Sequence, residues 1–132
     1  MKNMPCDPFE KFNSGILEKF DDTTSFDSLK WHCHPTFEGV ELKHIVTSKD
    51  TDGQFSYHLV KIAPDKKIGD HIHETQLETH EVIEGSGYCI NEGRTIAYQS
   101  GVISIMRKRT HHEVIAGENG LYLFAKFIPA LC

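Results

Sequence analysis

The chain is 132 residues long, enough for one domain with a single buried core. Its 39% hydrophobic and 25% charged residues are ordinary globular values and exclude a disordered chain. A net charge of −5 argues against nucleic acid as a general partner, and no apolar run approaches the ~20 residues that a membrane-spanning helix needs.

The opening MKNMPCDPFEKF lacks the apolar centre of a secretory signal, so the sequence places the protein in the cytoplasm by default. Phe9, Phe12, Ile16, Leu17 and Phe20 recur at roughly helical spacing, with Asp7 as a cap and Pro8 at the first helical position. Gly15 weakens that helix, and residues 21–25 read as a loop. Residues 1–35 are therefore expected to form an arm, partly helical, that packs its apolar side on the main body. The alternative is a segment laid on a second subunit. Residues 36–132 form the main domain.

From Trp31 onward the pattern is β throughout, with candidate strands over 39–47, 54–63, 69–73, 78–84, 87–91, 95–98, 102–106, 112–116 and 121–128. Turn signals separate them at Asp52-Gly53, Pro64-Asp65, Glu92-Gly93, Ser100-Gly101 and Asn119-Gly120. No convincing helix interrupts the run, which excludes parallel βαβ units. Short strands at this spacing indicate an all-β sandwich or barrel.

Period-two alternation then assigns faces. His58 shares a face with Val60 and Ile62, Glu78 with His80 and Val82, and His112 with Val114 and Ala116, whereas His111 points the other way. His71 and His73, two residues apart, point to one side as well. One interior would thus hold His58, His71, His73, Glu78, His80 and His112, too many ionisable groups for an inert core. Imidazole nitrogens and a carboxylate oxygen from neighbouring strands suit Mn, Fe, Co, Ni or Zn and are too nitrogen-rich for Ca or Mg. The four cysteines, Cys6, Cys33, Cys89 and Cys132, form no Cys-x-x-Cys pair and read as reduced thiols. His32-Cys33-His34 has no partner motif and is not read as a second metal site.

These residues resemble a known family. The run His71-Ile72-His73, four residues, Glu78, six residues, Gly85 is similar to the first motif of the cupins, although Asp65 stands where that motif opens on glycine. Gly101 and His112 stand at the separation of the second cupin motif, with Arg107, Arg109 and Ala116 in place of its proline, glycine and asparagine. The resemblance covers residues 37–128. It implies an all-β cupin jelly-roll barrel and one divalent transition metal held by His71, His73, Glu78 and His112. The lost proline and glycine predict an altered path for the loop before His112, with His111 as the alternative ligand.

The resemblance implies a metal-binding small cupin, on a fold that hosts many activities. The reading is a metalloenzyme acting on a small oxygenated or anionic molecule by dioxygenase, isomerase or lyase chemistry. The alternative is a non-catalytic ligand-binding or sensory module. His80 is the candidate acid–base group, titrating near neutral pH. His58 is a candidate pocket residue, and Arg107 and Arg109 are candidates for a rim that attracts an anion. A homodimer is expected, since small cupins often pair through edge strands.

Overall fold

The computed structural model describes residues 8–132. The cap assigned to Asp7, and Cys6, lie outside these residues.

The arm opens with α1 (Pro8–Asn13). This helix stops early: Ser14 N–H closes onto the Glu10 carbonyl and Gly15 N–H onto that of Phe12. The chain then reverses through a hairpin of β1 (Ile16–Glu18) and β2 (Thr23–Ser25), followed by a 3-10 turn over Phe26–Ser28. The expected helical continuation through Ile16, Leu17 and Phe20 is therefore corrected to a hairpin. A longer helix would have carried Gly15 in its interior at a cost of about 1 kcal/mol, and Phe20 is 99% exposed, so no apolar stripe favours it. Phe9 and Phe26 are buried and pack with Ile45, Val46, Leu59 and Phe124 against the outside of the barrel. The Phe9 ring lies 4.7 Å from Tyr122 and 6.0 Å from Trp31.

The barrel begins at β3 (His32–Cys33), inside the stretch expected to be arm, which pairs with β4 (Val40–Val46). A one-turn helix, α2 (Ser48–Thr51), follows; it was not expected, and it forms because the Asp50 carboxylate accepts the Thr47 N–H at 3.0 Å. The remaining strands are β5 (Ser56–Ile62), β6 (Lys67–His71), β7 (Leu77–Asn91), β8 (Arg94–Gln99), β9 (Ile103–Met106) and β10 (His112–Ile128). Every pairing is antiparallel.

Two long strands organise the molecule. Residues 112–116 of β10 lie between β6 and the second half of β7, and residues 121–128 lie between β5 and its first half. β8 pairs with the second half of β7 and β9 with its first half. One face thus runs β8-β7-β10-β6 and the other β3-β4-β5-β10-β7-β9, sharing their two long strands. This is a jelly-roll barrel. Val60, Ile62, Val82, Met106, Val114, Leu121 and Leu123 fill the space between the faces.

The expected breaks at residues 85–87 and at Asn119-Gly120 are bends inside β7 and β10, not chain reversals. Gly85 and Gly120 hold φ of +89° and +80°, and the β7–β10 register shifts between Ala116 and Leu121. A Cβ on Gly85 would fall on the Gly120 carbonyl oxygen, so the two strands approach as closely as backbone allows.

Candidate metal centre

Strand ends bring four side chains to one point. His71 closes β6, His73 lies two residues beyond it, Glu78 is near the start of β7 and His112 opens β10 directly opposite His71. One ligand atom from each of the four lies within 4.8 Å of the others. Glu78 Oε1 is 3.3 Å from His73 Nε2 and 3.0 Å from His112 Nε2. Glu78 and His112 are buried, and His71 and His73 are half-buried at the inner end of a cavity.

Neighbouring groups fix these donors. His71 donates from Nδ1 to the Gly69 carbonyl at 2.7 Å, which leaves the Nε2 lone pair for the centre. The His73 carbonyl accepts the Arg109 N–H at 2.7 Å, tying the segment after β6 to the loop before β10. The second Glu78 oxygen, Oε2, accepts from His80 Nε2 at 2.7 Å, while His80 Nδ1 meets the Tyr98 hydroxyl at 2.9 Å. Burial pushes the Tyr98 phenol up, so it remains a hydroxyl. The ionised Glu78 carboxylate only accepts, so His80 Nε2 carries a proton facing it. Tyr98 also contacts Ser104 Oγ, which lies across from His80 in the β7–β9 pair.

The donor set fits a cation. Burial alone would raise the Glu78 carboxyl, but the facing imidazoles of His80, His112 and His73 outweigh it and hold the group well below the usual range. Glu78 is thus an anion inside the protein. Burial also lowers His71, the neutral form that coordinates. Glu78 Oε1 and His112 Nε2 are buried and, though 3.0 Å apart, are not aligned as hydrogen-bond donor and acceptor. Each such unpaired group costs about 1–3 kcal/mol, a cost that a shared cation removes. Three imidazoles and one carboxylate match the nitrogen-rich sets of first-row transition metals.

The cavity above these residues measures about 590 Å³ and is walled largely by apolar side chains, among them Phe37, Leu42, Val60, Ile68, Leu123 and Phe127. Among the described residues no lysine or arginine lines it. Arg107 pairs with Glu92 at 2.6 Å, and Arg107 and Arg109 line a separate recess with Thr75 and Ile128, so neither stands at the cavity rim. His58 is fully buried behind the wall, bonded to His44 at 2.8 Å and to Ser56 at 2.7 Å, and does not face the cavity. His80 borders the cavity, but both its nitrogens are engaged. Tyr98, Ser104 and His44 were not anticipated. Their signal was period two alone, since each shares a strand face with inward apolar residues.

In the loop before His112, Arg109 adopts φ +62°, and Asp65, before β6, adopts φ +63°, the left-handed region that favours glycine. His112 faces inward, fully buried, while His111 is exposed and pairs with Asp70 at 3.0 Å.

Searches of known structures agree with the architecture. An RmlC-like cupin from Shewanella frigidimarina superposes with a TM-score of 0.71 at 14% identity, covering 89% of this chain and 96% of that one. KdgF from Halomonas sp. gives 0.69 at 18% identity, covering 78% and 88%. The fold is the cupin fold. The polyketide cyclase RemF from Streptomyces resistomycificus gives 0.67 at 19% identity, covering 78% and 75%, so enzymes are among the cupins that this chain resembles in structure. No protein-family model and no curated protein matches the sequence. No helix among the described residues is long and apolar enough to cross a membrane.

Proposed function

We propose that this cupin is a metal-dependent enzyme whose substrate is a small molecule with an apolar body and at least one oxygen donor. The observation that carries this reading is the convergence of one ligand atom each from His71, His73, Glu78 and His112 within 4.8 Å, with His71, His73 and Glu78 lining a largely apolar cavity. The ligands would be His71, His73, Glu78 and His112. A bound divalent ion supplies Lewis-acid polarisation of a substrate oxygen, or an oxygen-activating centre for a dioxygenase.

The chain's own residues do the rest. The Phe37, Leu42 and Phe127 walls exclude water and select an apolar body. With no lysine or arginine among the described residues of the lining, an anionic head group finds no counter-charge from them there. His80 is a positioning residue: with Nε2 on Glu78 and Nδ1 on Tyr98, it aims the carboxylate and has no nitrogen free for a substrate. This replaces the acid–base role expected for it.

Metal analysis of the purified protein and of the His73→Ala variant tests the reading. A transition metal should co-purify, and the variant should lose one equivalent; unchanged content would defeat the assignment. A substrate panel with oxygen uptake then separates dioxygenase from isomerase chemistry.

We also infer a cytoplasmic homodimer. Cys33, Cys89 and Cys132 are free thiols, which suits a reducing compartment. Ile103 and Ile105 lie exposed on β9, which among the described residues pairs only with β7 and leaves an open sheet edge. Light scattering should give twice the chain mass, and Ile105→Lys should shift it to one.

A further inference from the structure

The cavity has a second group of donors that the centre above does not use. One ligand atom from each of His44, His58 and Cys132 lies within 4.8 Å of the others. His44 and Cys132 line the same cavity as the first centre, and His58 stands directly behind His44. The Phe127 ring separates the two groups, with its centroid 5.1 Å from that of His73 and 5.5 Å from that of His58.

The group is held in place by its surroundings. Ser56 is fully buried, and its Oγ meets His58 Nε2 at 2.7 Å and accepts the Leu131 N–H at 2.8 Å. One hydroxyl therefore joins the strand that carries His58 to the segment that carries Cys132. Two further bonds pin that segment, Ser48 N–H to the Cys132 carbonyl at 2.7 Å and Ala130 N–H to the Gly53 carbonyl at 3.0 Å. The His32 ring stacks on His44 at 5.1 Å and fixes its plane. With Nε2 engaged by Ser56, the free coordinating atom of His58 is Nδ1, which faces His44 Nδ1 at 2.8 Å.

We propose that His44, His58 and Cys132 form a second metal site, for a thiophilic cation such as Zn²⁺ or copper. Two imidazoles and a thiolate select this class, whereas three imidazoles and a carboxylate form a harder set. The Nδ1 atoms need part only by about 0.5 Å, since two nitrogens on a tetrahedral Zn²⁺ at 2.0–2.1 Å stand about 3.3 Å apart. The proton between them moves to His44 Nε2, so each ring coordinates through Nδ1 and carries its hydrogen on Nε2. His58 Nε2–H then donates to Ser56 Oγ, the outer bond that ligating histidines commonly make. The Cys132 thiol loses its proton to solvent, one proton per metal bound. Solvent or a ligand in the cavity completes the coordination.

Cobalt(II) titration of the metal-stripped full-length protein tests this independently of the proposed function. A thiolate on cobalt gives a near-ultraviolet charge-transfer band that the first centre, which has no sulfur, cannot give. The expected result is two equivalents bound, with one producing the band. Cys132→Ser should abolish the band and leave one equivalent, His44→Gln should weaken cobalt binding in the banded phase by tenfold or more, and His73→Ala should leave the band intact. One equivalent with no band overturns the second site while leaving the first standing. One equivalent with the band retains the second site and removes the first. A band that survives Cys132→Ser and disappears in Cys33→Ser also overturns the proposal. A melting curve for each variant confirms that it is folded before titration.

Discussion

At the scale of single residues, the centre depends on groups that would never touch the metal. Tyr98 reaches Glu78 through His80, and its hydroxyl holds the ring at Nδ1 while Nε2 bonds the carboxylate. Tyr98→Phe removes that hydroxyl and leaves the ring in place. Outer hydrogen bonds of this kind are worth about 10–100-fold in metal affinity. Competition with a chelator should therefore show at least about tenfold weaker binding, with the melting temperature of the metal-free protein changed far less. Equal affinity would mean that His80 needs no partner. Arg109 makes the opposite case, a side chain on backbone that suits glycine. An L-residue in the left-handed region costs about 1–2 kcal/mol, and glycine returns part of this as lost chain entropy. Arg109→Gly should stabilise the protein by about 0.5–1 kcal/mol in denaturant titration. A loss of stability would show that the arginine side chain makes up for its backbone.

At the scale of elements, the decisive feature is the close approach of β7 and β10. Gly85→Ala places a methyl on the Gly120 carbonyl oxygen and also strains a positive φ. Its cost should be about 3 kcal/mol or more, whereas Gly93→Ala, at a similar φ with nothing within 4 Å of the new Cβ, should cost about 1 kcal/mol. Equal losses in the two melts would refute the close approach. The same place explains what could be read from the chain and what could not. Alternation identified the inward faces of β5, β7 and β10, because a half-buried strand must repeat every second residue. It therefore placed Glu78, His80 and His112 inside together. It could not tell a glycine that reverses the chain from one that bends a strand, because both take positive φ; hence four strands were expected where β7 and β10 are two. The arm misled for a related reason. Ile16, Leu17 and Phe20 carry helical spacing, but burial sets the outcome, and Phe20 faces solvent. Arg107 and Arg109 misled by charge, since nothing in the sequence shows that their loop turns them away from the cavity. Asp65 and Arg109 stand in left-handed backbone where the motif has glycine, which only dihedral angles reveal.

At the scale of the whole molecule, the interior histidines set how stability responds to acid. His58 is fully buried, and burial, with the neighbouring His44 ring adding to it, brings its imidazole down to about 4, against a smaller opposing pull from Glu78. The groups around it are His44, Ser56, Phe127 and, further off, Glu78. The unfolded imidazole protonates near 6.5, so between those values the unfolded chain binds more protons than the folded one. Stability then rises with pH across that window: it is full above about 6.5 and is lost progressively toward about 4. A difference of about 2.5 pH units corresponds to at most about 3 kcal/mol. His71, His44 and His34, each lowered by burial, act in the same direction. Glu78 acts from the acid end of that window downward, since a depressed carboxyl contributes stability that is present above its unfolded value near 4.5 and lost as pH falls further. His58→Gln keeps a side-chain amide beside Ser56 and removes the titration. Denaturant midpoints of the metal-free protein, taken at steps from about pH 7.5 to 4, should fall steeply for the parent and less steeply for the variant. The variant starts lower at neutral pH, having lost the fit of the ring, and the two curves converge toward acid. Parallel curves would mean that His58 is protonated inside the folded protein, with the His44 pair opened to let water in.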